Sequence, residues 1–149
     1  MSNILMFLSA IMLFAPAYAI NVLSASKMNV DIFFMVSVIT SPTLGAVFGG
    51  IITDKCIGSY ADKRALIMCL IAYAVFVAVC VLGPFLNNYL LFFSVLWLAI
   101  FLTGFVSPIM MGIILNCVSP IQRPTASALA NLFMTGGGYM SGPLIYGVF

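Results

Sequence analysis

The stretch Gly45-Ala46-Val47-Phe48-Gly49-Gly50-Ile51-Ile52-Thr53-Asp54-Lys55-Cys56-Ile57-Gly58, followed after Ser59-Tyr60-Ala61 by Asp62-Lys63-Arg64, decides how this chain is read. An apolar run meets its first charges at Asp54 and Lys55, turns at Gly58 and reaches a basic pair, as expected of a helix leaving a hydrocarbon layer. Gly45 and Gly49 lie four apart and share one helix face, where the missing side chains admit a neighbouring backbone. Asp54 falls at the helix end, where a carboxylate pairs with a basic residue or caps an adjacent helix. A merely solvated loop carrying positive-inside charges is the other reading of the same residues.

The whole chain repeats this character. Of 149 residues, 64% are hydrophobic and 5% charged, with three acidic residues (all Asp) and no His. Soluble domains average about 25% charged residues, so this composition places the chain among membrane proteins. Without His or Glu, most hydrolytic and metal-assisted mechanisms lose their usual acid, base or ligand set, and the chain is expected to be neither an enzyme nor a metal or cofactor binder. The net charge of +2 is too small to argue for nucleic acid. Cys56, Cys69, Cys80 and Cys117 are too widely spaced for a Cys-x-x-Cys pair and are read as small buried hydrophobes.

Five apolar stretches emerge, at roughly residues 3–23, 32–53, 65–86, 89–116 and 125–149, each long enough to span a bilayer. The connections are short, so consecutive helices are expected to be antiparallel. The third is a turn at Gly83, Pro84, Asn87 and Asn88, and in the fourth Pro120 and Pro124 flank Arg123 and break any continuous helix. Lys55, Lys63, Arg64 and Arg123 fall in the second and fourth connections, against Lys27 alone in the first. That asymmetry predicts a cytoplasmic N-terminus. Continuous apolar runs rich in Leu, Ile, Met and Phe exclude a transmembrane barrel, whose strands alternate. Ala17-Tyr18-Ala19 has the pattern of a signal-peptidase site, but no basic residue precedes the run and it continues to spanning length, which argues against cleavage.

A second patch runs Pro120-Ile121-Gln122-Arg123-Pro124-Thr125-Ala126-Ser127-Ala128-Leu129-Ala130-Asn131, then Gly136-Gly137-Gly138-Tyr139-Met140-Ser141-Gly142-Pro143. Gly138 and Gly142 again repeat at four, giving a helix face of low relief suited to packing and rocking. With Gly50, Asp54 and Lys55 at matching spacing, these patches resemble the major facilitator superfamily of secondary transporters, whose second-to-third loop reads Gly-x-x-x-Asp-Arg/Lys-x-Gly-Arg-Arg/Lys. This chain departs from that motif after Lys55, where two residues precede Gly58 and four more precede Lys63-Arg64. The Arg123 to Pro143 region is similar to that of spinster-like and organic-anion-type members.

The resemblance implies an all-α polytopic membrane protein, its spans equivalent to helices seven to eleven of twelve and forming part of a six-helix half-bundle. It also implies alternating access for a small organic or amphipathic, lipid-like solute, with a missing transporter half or partner helices supplying the rest; the chain is expected to be a fragment. The residues themselves offer no ionisable group in mid-span, with Asp31 and Asp62 assigned to connections. Polar candidates for a substrate cavity are Asn21, Tyr18, Ser37, Thr40, Thr43, Ser107, Asn116, Asn131 and Thr135, with Pro16, Pro42 and Pro108 bending their helices. Several of the hydroxyls have an alternative partner in their own helix backbone. The competing reading is a small structural subunit of a larger membrane complex, for which a lack of chemistry is equally natural.

Overall fold

Long apolar runs rich in Leu, Ile, Met and Phe satisfy every backbone hydrogen bond internally only as helices, the form a hydrocarbon solvent requires. The computed structural model describes residues 2–23, 26–56, 63–86 and 88–140. Among these residues there is no strand, and the helices are α1 (Ser2–Asn21), α2 (Lys27–Cys56), α3 (Lys63–Leu82), α4 (Tyr89–Asn116) and α5 (Arg123–Met134). Short 3-10 turns occupy Gly83–Phe85 and Pro120–Gln122, and a π-helical segment covers Thr135–Met140. Three helices, α2, α3 and α4, are long and apolar enough to cross a membrane, and α1 carries a shorter apolar helix at Leu8–Asn21. The chain is an all-α membrane protein. At 1.5 Å per residue, α2 and α4 are about 45 and 42 Å long, more than the roughly 30 Å hydrocarbon layer, so both tilt or reach the headgroups.

Helix α4 is the centre. Its partners in sequence order are Phe93 against Phe33, Trp97 against Thr40 and Ser41, and Phe105 against Gly49, so α2 runs parallel to it. By contrast Ala65, Cys69 and Ala72 of α3 pack on Val106 and Ile109, whereas Phe76 and Val79 pack on Ala99 nearer the start of α4. Helix α3 is therefore antiparallel to both. The Tyr18 ring, near the end of α1, meets Phe92 near the start of α4, with centroids 5.3 Å apart, so α1 is also antiparallel to α4. Leu8, Ala15 and Ala19 of α1 close a cluster with Val30, Phe92, Phe93, Leu96 and Ile100. The π-helical segment returns to lie against α1.

Because lipid tails are as apolar as Leu, close packing holds these helices together, and large side chains such as Ile67, Leu70 and Ile71 remain on the outer face of α3. Lys55, Lys63, Arg64 and the start of α5 at Arg123 gather at one end of the bundle and Lys27 lies at the other, as the helix directions require.

The element boundaries differ from the sequence reading where polarity and helicity part company. Helix α2 begins at Lys27, five residues before the expected span, so Asp31 lies in a helix and not in a connection. The Val30 amide donates to the Ser26 carbonyl at 3.0 Å to start it, and the charged pair Lys27 and Asp31, four apart, suits the exposed start of the helix. Helix α3 stops at Leu82, before the expected 86, because Gly83 and Pro84 tighten the chain into a 3-10 turn. The Asn88 side chain then caps α4, its Oδ1 accepting from the Leu90 amide at 3.0 Å. Of the expected fifth span, Arg123–Met134 is α-helical and the glycine-rich Thr135–Met140 widens into π turns. Gly58, Asp62, Gly142 and Pro143 lie outside the described residues.

Candidate functional site

The backbones of α2 and α4 approach each other closely. A Cβ added at Gly45 would strike the Phe101 carbonyl oxygen and lie 2.9 Å from the Phe105 nitrogen, and one at Gly49 would strike the Phe105 carbonyl oxygen. From the other side, a Cβ at Gly104 would lie 2.6 Å from the carbonyl oxygen of Pro42 and 2.8 Å from its Cα. Glycine is required at all three positions because two backbones meet there without intervening side chains. Pro42 and Pro108 each remove an amide from their helix and leave the carbonyl four residues earlier without its usual donor, so both helices are locally deformable at this crossing.

Polar groups pin the same seam. Ser41, wholly buried, donates to the Trp97 carbonyl at 2.5 Å, and the Trp97 indole Nε1 donates to Thr40 Oγ1 at 3.1 Å. The Trp97 ring stacks on Phe101 at 5.4 Å. Ser41→Ala is expected to lower stability by about 0.6 kcal/mol, and by no more than about 1.7, the range of hydrogen bonds between membrane helices. Thermal unfolding in detergent followed by circular dichroism checks this, and an unchanged midpoint would mean that the bond contributes nothing.

The remaining hydroxyls of α2 turn back on their own helix. Ser37 donates to Phe33, Thr40 to Val36, Thr43 to Ile39 and Thr53 to Gly49, at 2.6–2.9 Å. Such bonds satisfy a hydroxyl in an apolar surrounding and bend the helix slightly. Among the described residues no buried side-chain nitrogen or oxygen lacks a partner.

A second feature is a half-open apolar cavity of about 260 Å3 between the C-terminal half of α1, the end of α3 and the first half of α4. Small residues make the concavity: Ala15 from α1, Gly83 after α3 and Ala99 from α4, with Tyr18, Cys80 and Leu96 beside them.

The predicted site residues distribute as follows. Gly45 and Gly49 face α4, whereas Gly50, the residue that matches the loop motif, has open space at its Cβ position. Asp54 and Lys55 are exposed in the last turn of α2, Lys63 and Arg64 open α3, and Arg123 opens α5, all exposed. Gly138 is buried in the π-helical segment. The polar candidates do not converge. Asn21 ends α1 at one end of the bundle and Asn116 ends α4 at the opposite end; Ser107, Asn131 and Thr135 are exposed, and Thr40 belongs to the α2–α4 seam. None of these six lines the cavity, although Tyr18 does. Sequence reading missed Gly104, whose only signal was its place four residues before Pro108, and it missed the cavity wall because Phe92, Val95 and Leu96 look like any other apolar residues. No protein-family model, curated protein or solved structure matches the chain.

Proposed function

We propose that the chain is the membrane-embedded helical part of a secondary transporter of the major facilitator type, working with partner helices to move a small amphipathic solute by alternating access. The observation that supports this reading is the combination of a glycine-lined, proline-softened α2–α4 seam with an apolar cavity on the other face of α4. A low-relief seam lets one helix shift against another without unlocking interdigitated side chains, as rocking requires. The scatter of the polar candidates narrows the solute class from small organic molecules in general to apolar or amphipathic ones. On this reading the end carrying Lys55, Lys63, Arg64 and Arg123 is cytoplasmic, the Gly50-x-x-x-Asp54-Lys55 loop gates it, and the chain performs no covalent chemistry.

The test uses tagged chain purified in mild detergent with the membrane partners it retains, reconstituted into phosphatidylcholine vesicles. A fluorescent lysophosphatidylcholine is followed by extraction from the outer leaflet with albumin. Transbilayer movement at least fivefold faster than in protein-free vesicles is expected, falling severalfold in Asp54→Asn with Lys55→Ala. A rate equal to that of protein-free vesicles would sink the transport reading. The second reading, a structural subunit of a larger membrane complex, draws on the internal pairing of every buried side-chain nitrogen and oxygen among the described residues, which leaves none of these poised for a ligand. It expects that null result together with stoichiometric recovery of a partner.

A further inference from the structure

The cavity beside α4 has the size, wall chemistry and position of a site for a hydrocarbon chain. We propose that it binds the unbranched alkyl chain of a small single-chain amphiphile. This deepens the solute class proposed above, and its test reads binding directly, so it fails independently of transport.

Size comes first. Apolar cavities of about 150 Å3 already stay dry and hold a benzene molecule, and this one measures about 260 Å3. The wall gives the second argument, since a bound water needs two to four polar partners. Among the described residues that line it, the polar side-chain atoms are the Tyr18 phenol and the Cys80 thiol, and the remaining surface is almost wholly apolar. Water is a poor occupant of such a space and an alkyl chain a good one.

Gly83 supplies a third argument. It is buried and lines the cavity, yet a Cβ built there meets no heavy atom within 4 Å. The space beside it is therefore large enough for added side-chain atoms, unlike that beside Gly45 or Gly49. The fourth is position: Tyr18 lies three residues before the end of α1, Gly83 directly follows α3 and Phe92 is in the first turn of α4. The cavity thus reaches the ends of these helices, where a polar headgroup reaches the interface while its chain stays inserted. Tyr18, an apolar ring with a polar tip, suits that depth. A two-tailed phospholipid would leave its second tail outside, so a single-chain amphiphile makes fuller use of the space.

Purified chain in phosphatidylcholine nanodiscs is photolabelled with a diazirine-bearing octanol, and the labelled residues are mapped by mass spectrometry. Label is expected in the 11–18 and 79–83 segments. Unlabelled n-alkanols should displace it with potency rising about fourfold per methylene and then levelling once the cavity is full. Gly83→Leu should cut that label at least tenfold while leaving incidental label on the outward-facing Ile67 and Leu70. Even labelling of all lipid-facing residues overturns the proposal, as does potency that climbs with no plateau or label that Gly83→Leu leaves unchanged. If Gly83→Leu does not fold, the wild-type competition curve decides alone, because bulk partitioning into lipid has no plateau.

Discussion

Gly49→Ala is expected to lower the stability of the bundle by about 3 kcal/mol, at the upper end of what overpacking a tight interior costs. The added methyl has no space: it meets the carbonyl oxygen of Phe105, with the Phe105 carbonyl carbon and Cα each 3.1 Å away. These are backbone atoms in the middle of a 28-residue helix, so relief requires moving α4 as a body. That movement would stretch the Ser41 to Trp97 and Trp97 to Thr40 bonds just over two turns away. Gly50→Ala is the internal control, because its Cβ meets nothing within 4 Å. Replacing a helical glycine without a clash gains roughly 0.5–1 kcal/mol. Unfolding titrations in mixed detergent, with Trp97 as the single tryptophan reporter, should separate the two neighbours by at least 3 kcal/mol. Equal stability of the two variants would disprove the backbone contact.

Ile109→Ala carries the other large effect, an expected loss of about 2–4 kcal/mol. Ile109 has no exposed surface and fills the space among Ala65, Cys69, Ala72 and Val106, where α3 meets α4. Three of these neighbours are already small, so none can extend to replace the lost atoms. In lipid the cost arises mainly from forfeited van der Waals contact, since removal from water contributes little. Ile109→Val should recover most of the stability. Ile67→Ala, on the exposed face of the same helix pair, should stay within about 0.5 kcal/mol of wild type. A detergent unfolding series of the three variants checks the ranking, and a result in which Ile67→Ala costs as much as Ile109→Ala would refute the assigned faces.

How far the chain could be read in advance depends on the scale of the signal. Continuous runs such as 65–82 and 89–116 are helical because lipid leaves their backbone no other partner, and their length and composition are visible residue by residue. The boundaries were less legible. Asp31 marks a change in polarity but not the end of a helix, since a charged side chain near a helix start interrupts no backbone hydrogen bond. The widened turns at Gly136-Gly137-Gly138 were likewise hidden, because glycine permits many backbone forms and selects none.

Within the candidate site, the spacing of Gly45 and Gly49 pointed to a close-packed face, but nothing in it named α4 as the partner or Gly104 as the opposing glycine. The polar residues showed the reverse problem: a hydroxyl reads the same whether it faces a cavity or bonds to the carbonyl four residues back, as Thr43 does with Ile39.

An all-α membrane protein with its basic residues segregated by connection is legible in the residues alone, because composition, run length and charge position are local properties governed by the bilayer as solvent. Which helices touch, where Gly104 meets Pro42, and how Ala15, Gly83 and Ala99 line a half-open cavity were set by packing in three dimensions. A cavity and a backbone contact are relations between surfaces that sequence keeps dozens of residues apart. They come into being only when helix directions, tilts and rotations are set together by packing.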